Sequence, residues 1–171
     1  DEFVQDTWYN ILAQNGVVNG TSPNTFSPGQ NVRRCDFVVM ICRAFHFTAV
    51  NDSAGFYDVP NGTYYTSAVA AARELSIING TGGNYFNPNG ALSRQDAMVM
   101  VRNALRAANW SVGSSSTENL SMFPDGGRVS EYARDAVSTL VRLGAVNGDS
   151  NGYLRPQSTI NRAEVAMILH Y

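Results

Sequence analysis

The sequence predicts an all-α fold, because one helical unit is repeated three times along the chain. Arg34, Arg94 and Arg162 mark the same point of the three copies, and each is followed two residues later by a carboxylate. An Asn-Gly pair, and then a phenylalanine or leucine two positions before a proline, precede each arginine at spacings that never change. Such fixed spacing indicates one supersecondary unit used three times.

Two apolar segments in every copy predict two helices. The second segment is apolar on nearly every side, which is typical of a buried helix. We therefore expect three helical repeats arranged as a pseudo-threefold prism, with the second helices forming a central three-helix bundle and the first helices outside it. The predicted first helices contain residues 8–12, 68–72 and 136–140, and the predicted second helices contain residues 37–42, 97–101 and 165–169.

Each first helix is predicted to end just before a tight turn. The Asn-Gly pair of each copy supplies the positive φ angle that such a turn needs. Residues 109–119 contain a Gly-Ser-Ser-Ser-Thr stretch of linker composition, and we predict a flexible surface loop there. The predicted ends of the first helices are Gly16, Ser76 and Gly144.

The three copies are expected to share one core. A chain of 171 residues has an ordinary globular length, whereas units of about 60 residues are marginal alone. We therefore predict a single domain over residues 1–171. Copy one covers residues 1–50, copy two covers residues 51–110, and copy three covers residues 111–171. Copies two and three contain an aromatic-then-Asp lead-in, at residues 56–58 and 122–125, which copy one lacks.

Composition argues against several classes of protein. The net charge of −2 and the isoelectric point near 5.6 give no reason to expect nucleic-acid binding. No apolar run approaches the length of a membrane span, so we expect no membrane insertion. Cys35 and Cys42 lie on one predicted helix about 10 Å apart, beyond disulfide reach, and are predicted to be free thiols. Their redox state is left open.

The starts of the second helices are candidate anion sites. Ser93 and Asn161 each stand three positions before a carboxylate, Asp96 and Glu164, in a capping-box arrangement. The arginine between them then meets the positive end of the helix dipole, which is electrostatically unfavourable and suggests another use. Arginine and the free N–H groups of a helix start suit a carboxylate or phosphate. Equally, each arginine could pair with a lead-in acid, Asp58 or Asp125, and the two readings remain open.

Aromatic residues supply the second part of a candidate site. Aromatic faces beside polar donors commonly hold a sugar, although core packing is the more usual fate of such residues. No catalytic constellation, metal site or cofactor site is predicted, because His46 and His170 lack a recurring nucleophile or carboxylate nearby. The candidate aromatics, near the starts of the first helices, are Trp8, Tyr64, Tyr65 and Tyr132.

The triplication, the lead-in, the Asn-Gly turn, the Phe-x-Pro anchor and the arginine tetrad together resemble the S-layer homology domain. The best tetrad is Asn161-Arg162-Ala163-Glu164, followed by Ser93-Arg94-Gln95-Asp96, while Arg33-Arg34-Cys35-Asp36 keeps only the arginine and the acid. The resemblance implies a module that anchors a surface protein to the bacterial envelope by non-covalently binding a secondary cell wall polymer. It implies that a pyruvylated amino sugar is held in grooves between repeats.

The resemblance also assigns expected roles to particular residues. Arg34, Arg94 and Arg162 are expected to clamp the carboxylate, with the aromatics beside them. Asp36, Asp96 and Glu164 are expected to be mainly helix-capping and structural, with Ser93 and Asn161 as caps. Because Arg33 replaces the cap in copy one, we expect Arg34 to contribute least to binding. The glycines expected to let a ligand approach the backbone are Gly20, Gly80 and Gly148.

Three other functions remain open. The module could bind peptidoglycan or another glycan without a pyruvyl group, or it could be a protein-interaction scaffold. An enzyme is the least favoured of the three. We expect an extracellular monomer at the bacterial cell surface, within a larger S-layer or surface protein, with cell wall polysaccharide as its partner.

Overall fold

The computed structural model describes Ser27 and residues 29–113 and 116–169, and the helices in these ranges are joined by turns and loops. Two short 3-10 helices, Thr117–Met122 and Gly126–Arg128, lie between the third and fourth α-helices. Within the described residues, β-structure is limited to isolated bridges. The prediction of an all-α fold is confirmed. The α-helices are α1 (Arg34–Phe45), α2 (Thr66–Glu74), α3 (Arg94–Ala107), α4 (Glu131–Arg142) and α5 (Arg162–Leu169).

The second helices of the three copies, α1, α3 and α5, supply much of the core. Helix α1 packs against α3 and α5. The first helices of copies two and three each pack against the second helix of the preceding copy, α2 on α1 and α4 on α3. Residues 35 and 37–42 of α1 are all buried, as their apolar character predicts. The threefold prism itself stays a prediction, because the first helix expected at residues 8–12 lies outside the described residues.

Backbone hydrogen bonds link the copies in a closed cycle. The first two N–H groups of α1 donate to carbonyls of the copy-two loop, and those of α3 donate to carbonyls of the copy-three loop. The first N–H of α5 returns to copy one, where it donates to the Gln30 carbonyl. Each second helix therefore begins on the loop of another copy. The donor and acceptor pairs are Arg34–Gly90 at 3.0 Å, Cys35–Pro88 at 3.0 Å, Arg94–Ser158 at 2.8 Å, Gln95–Pro156 at 2.8 Å and Arg162–Gln30 at 3.1 Å.

The tight turns fall where the sequence places them. The first helices of copies two and three are followed by Ser76 and Gly144 at φ angles of 56° and 78°. Gly80 has φ +84°, and a Cβ atom there would lie 2.5 Å from the Tyr85 carbonyl oxygen and 2.8 Å from the Phe56 ring. The turn and the packing around it are therefore enough to require glycine at this position, without any contact to a ligand.

The prediction of a flexible surface loop over residues 109–119 is partly wrong. Val112 is buried, and a 3-10 helix begins at Thr117. The Ser116 hydroxyl accepts a hydrogen bond from the Glu118 N–H, and the Ser138 hydroxyl donates to the Ser116 carbonyl at 2.8 Å. Small polar residues give this segment a linker composition, but one of them, Ser116, caps the 3-10 helix and tethers it to α4.

Both cysteines are free and buried, as predicted. Desolvation raises the pKa of Cys42 to about 11, so this thiol stays protonated at neutral pH. Among the helices of the described residues, none is both long and apolar enough to cross a membrane.

Removing copy three is expected to unfold the rest, because the start of α3 loses both of its backbone acceptors. A chain ending at Asn109 would also expose the face of α3 that α4 covers. We expect this chain to show no cooperative thermal transition by circular dichroism, whereas the 171-residue chain melts in one step. A cooperative melt of the shorter chain close to that of the parent would contradict a single shared domain.

Candidate functional site: arginine-lined grooves between the copies

The arginine of each tetrad is the first residue of a second helix, as the spacing predicts. The free helix N–H groups expected to help bind an anion are not free, however. The first two N–H groups of α1 and of α3 already donate to the loops of neighbouring copies. These two N–H groups are therefore not available to an anion at either helix start.

Residues of copy two fix the orientation of the Arg34 side chain. Its Nε donates to the Phe86 carbonyl at 2.9 Å, and its guanidinium carbon lies 5.1 Å from the centre of the Phe86 ring. Its Nη1 lies 3.8 Å from Asp96 Oδ2, which makes a long ion pair. The residue is only 8% exposed, so these contacts fix the orientation of a mostly desolvated cation.

Arg94 is held in the same way by copy three. Its Nε donates to the Leu154 carbonyl at 2.8 Å, the position equivalent to Phe86. Its Nη1 forms a direct ion pair with Glu164 Oε1. The tetrad arginines of copies one and two therefore face the tetrad acid of the following copy.

Among the described residues, Asp58 and Asp125 form no ion pair with Arg34 or Arg94, so that alternative is wrong for these two arginines. Asp58 accepts hydrogen bonds from the backbone N–H groups of Phe86 and Asn87, at 2.8 and 2.7 Å. Asp125 does the same for Leu154 and Arg155, at 2.9 and 2.8 Å. Each acid thus fixes the loop whose carbonyl holds the arginine.

Capping differs between the copies. In copy three the box is reciprocal: the Asn161 side chain accepts from the Glu164 N–H at 2.9 Å, and Glu164 Oε2 accepts from the Asn161 N–H at 3.0 Å. In copy two the Ser93 hydroxyl accepts from the Asp96 N–H at 3.2 Å. The Asp96 carboxylate contacts other copies instead.

Copy one has no side-chain cap, as the sequence predicts, yet its helix start is well held. The Arg33 guanidinium bonds Asp36 at 2.9 Å and the Tyr64 hydroxyl at 2.6 Å. Two backbone bonds to copy two hold the first turn as well. The reason given for a weaker Arg34, a less ordered helix start, is therefore wrong.

Two tyrosines donate to the tetrad acid of the preceding copy. The Tyr64 hydroxyl donates to Asp36 Oδ1 at 2.6 Å, and the Tyr132 hydroxyl donates to Asp96 Oδ1 at 2.6 Å. Desolvation and this hydrogen bond raise the pKa of Tyr132 to about 12, so it remains a donor at neutral pH. Both rings are 62% exposed, which leaves a face of each open to solvent.

Tyr65 differs from these two tyrosines. It is buried in the core and packs edge-on against the Tyr64 ring, with the ring centres 5.1 Å apart. We therefore leave Tyr65 out of the candidate site.

A groove of about 460 Å³ brings several predicted residues together. Copy one contributes Arg34, copy two contributes the Asn-Gly turn and the tetrad acid, and copy three contributes Tyr132. Its lining combines apolar side chains with amide, hydroxyl, guanidinium and carboxylate groups. We call it the Arg34 groove. Its lining residues include Arg34, Ile78, Asn79, Gly80, Asp96, Met100, Asn103 and Tyr132.

The equivalent groove beside Arg94 is smaller, at about 60 Å³. We call it the Arg94 groove. Gly148, at φ +77°, takes the place of Gly80 there, and Glu164 takes the place of Asp96. The groove expected beside Arg162 includes Gly20, which lies outside the described residues, as does Trp8.

Sequence reasoning missed two polar residues at the Arg34 groove, Asn103 in its lining and Gln95 beside Tyr132. The Asn103 side chain donates to the Ile77 carbonyl at 3.2 Å and so fixes the segment leading into the turn. Gln95 donates to the Tyr132 hydroxyl at 2.9 Å. Neither residue recurs in all three copies, so repeat comparison gave no signal for them.

Comparison with known proteins agrees with this architecture. The S-layer homology domain family matches three segments of the chain, residues 10–38, 55–98 and 123–166. The matched segments correspond to the three copies and contain all three tetrad arginines.

Similar proteins include enzymes and S-layer proteins. An amylopullulanase of Thermoanaerobacterium thermosulfurigenes is 31% identical over 98% of this chain and 9% of its own length. Exoglucanase XynX of Acetivibrio thermocellus is 30% identical over 98% of this chain and 16% of its own. The S-layer protein sap of Bacillus anthracis is 26% identical over 94% of this chain and 19% of its own.

The chain spans less than a fifth of the length of these relatives, so it corresponds to one module of each. The feature shared by the glycosidases and the S-layer proteins is this module, and a module common to both points to anchoring rather than catalysis. The chain belongs to the S-layer homology domain family, whose role is the non-catalytic anchoring of proteins at the cell surface or cell wall.

Proposed function

We propose that this module anchors its parent protein by binding a pyruvylated amino sugar of a secondary cell wall polymer in the grooves between copies. The observation that carries the proposal is the Arg34 guanidinium, which is desolvated, fixed at Nε and lines the groove of about 460 Å³. A guanidinium oriented in this way suits a carboxylate, because it offers parallel N–H donors in a fixed plane.

The rest of the Arg34 groove suits the sugar ring. Val99 and Met100 give it an apolar floor, and the Tyr132 ring is exposed at its edge. Asn79 and Thr81 place polar groups on either side of the Gly80 turn. A saccharide presents both an apolar face and hydroxyl groups, so this mixture of surfaces supports a sugar better than a peptide.

Binding to isolated cell walls tests the proposal. The 171-residue chain is sedimented with walls that carry a pyruvylated polymer, with the same walls after mild acid removal of the pyruvyl groups, and with peptidoglycan after polymer extraction. We expect binding only to the untreated walls. Equal binding to depyruvylated walls would show that the ligand is a glycan without a pyruvyl group. Equal binding to extracted peptidoglycan would show that the ligand is peptidoglycan.

A further inference from the structure

The Arg34 and Arg94 grooves differ at the tetrad acid. Both arginines use Nε in the same way, on the Phe86 and Leu154 carbonyls. They differ at Nη1, where Glu164 forms a direct ion pair with Arg94 but Asp96 stays 3.8 Å from Arg34. The two sites are therefore alike in the contacts of Nε and different in the contacts of Nη1.

The difference follows from side-chain length and from the second oxygen of each acid. Glu164 uses Oε2 to cap its own helix and still reaches Arg94 with Oε1. Asp96 is one methylene shorter, and its Oδ1 accepts the Tyr132 hydroxyl at 2.6 Å. That bond directs the carboxylate towards Tyr132, and the remaining oxygen does not reach hydrogen-bonding distance of Arg34.

The sizes of the two grooves agree with the contacts made by the two arginines. In the described part of the chain, the Nη groups of Arg34 have only the long contact to Asp96, and Arg34 lines the groove of about 460 Å³. The Nη1 of Arg94 is occupied by Glu164, and the groove beside it is about 60 Å³. A carboxylate entering the Arg94 groove must compete with a carboxylate already in place.

We propose that the length of the tetrad acid determines which groove is open: Asp96 leaves Arg34 available to a carboxylate ligand, whereas Glu164 occupies Arg94. This inference rests on the proposed function for the nature of the ligand, but not for the state of the arginines. It makes the Arg34 groove the principal site among the two described grooves, which reverses the ranking expected from the tetrads. The acids are thus specificity-determining residues and not only caps.

Exchanging the acid lengths tests the proposal in two independent ways. The first uses no sugar: solvent exchange of the guanidinium Nη protons of Arg34 and Arg94 is measured by NMR in the parent, Asp96→Glu and Glu164→Asp. We expect Asp96→Glu to slow exchange at Arg34 and Glu164→Asp to accelerate it at Arg94, each about tenfold, because one charge-assisted hydrogen bond is gained or lost. Unchanged exchange at both arginines overturns the proposal, whatever the ligand.

The second measurement is calorimetry with a soluble pyruvylated fragment released from the wall polymer. We expect Asp96→Glu to weaken binding at least tenfold, and Glu164→Asp to add a second site of comparable affinity. Asp52→Glu and Glu118→Asp, at exposed positions outside both grooves, serve as length-matched controls and are expected to bind as the parent does.

The two measurements separate the possible failures. If the parent fails to bind the fragment while exchange changes as expected, the proposed function is wrong and the control of the arginines by acid length is supported. If the parent binds and neither acid variant changes affinity or stoichiometry, the proposal is overturned even where exchange changes. Unfolding in urea checks that both variants are folded under the conditions of the two measurements.

Discussion

Replacing Arg34 by alanine is expected to weaken binding to pyruvylated walls about 10- to 100-fold, the loss that follows from removing a charge-assisted hydrogen bond to a carboxylate. The substitution also removes the Nε bond to the buried Phe86 carbonyl and the contact of the guanidinium with the Phe86 ring. We therefore expect it to lower the free energy of unfolding by about 2 to 3 kcal/mol. Wall sedimentation and urea unfolding measure the two effects.

Arg73→Ala is the matched control for this prediction. Arg73 also stacks on a phenylalanine ring, with its guanidinium carbon 4.1 Å from the centre of Phe56. It donates to the Ala54 carbonyl at 3.0 Å but does not line the Arg34 groove. Its loss is expected to cost stability without weakening binding by more than about twofold. Equal losses of binding in the two variants would show that Arg34 acts through stability and not as a carboxylate clamp.

The local features of the fold were predictable because they depend on residues close together in the sequence. The turn at Gly80 requires a positive φ, and Ser93 stands three residues before the N–H that it caps. The apolar run in α1 predicted a buried helix. Each of these inferences needs only the spacing within one copy.

The composition of the grooves was not predictable in the same way, because it depends on contacts between copies. Tyr132 reaches Asp96 across 36 residues, and Arg94 reaches the Leu154 carbonyl across 60. Comparing the copies identified which residues recur but not which copy each one faces. The same limit explains why the lead-in acids were offered as partners of the arginines when they bind backbone N–H groups instead.

The difference between an aspartate and a glutamate in the tetrad also looked conservative in the sequence. As sequence, both acids stand three residues after a capping residue, although only Glu164 reaches back to the N–H of that residue. Across the seam between copies, however, one methylene decides whether the carboxylate meets the next arginine. Tetrad completeness is therefore a measure of helix capping and a poor guide to ligand access.

Replacing Asp125 by alanine is expected to have the largest effect on stability of any single acid in the described residues. Asp125 is 8% exposed, and its two oxygens accept the N–H groups of Leu154 and Arg155. Alanine leaves both donors without acceptors in a loop whose Leu154 side chain is fully buried. We expect a loss of about 3 to 4 kcal/mol in the free energy of unfolding, because each unsatisfied buried donor costs about 1 to 3 kcal/mol.

The loss should appear as a fall of about 6 to 16 °C in the melting temperature, at about 2 to 4 °C per kcal/mol for a chain of this size. Asp58→Ala removes the equivalent contacts in copy two, where the acid is half-buried, and should cost less. Asp52→Ala, at an exposed position, should change stability by no more than about 0.5 kcal/mol. Because the Leu154 carbonyl holds Arg94, the Asp125 variant should also loosen that arginine. A melting temperature within about 2 °C of the parent would mean that water or the loop itself satisfies the two donors, and that the lead-in acid does not fix the groove.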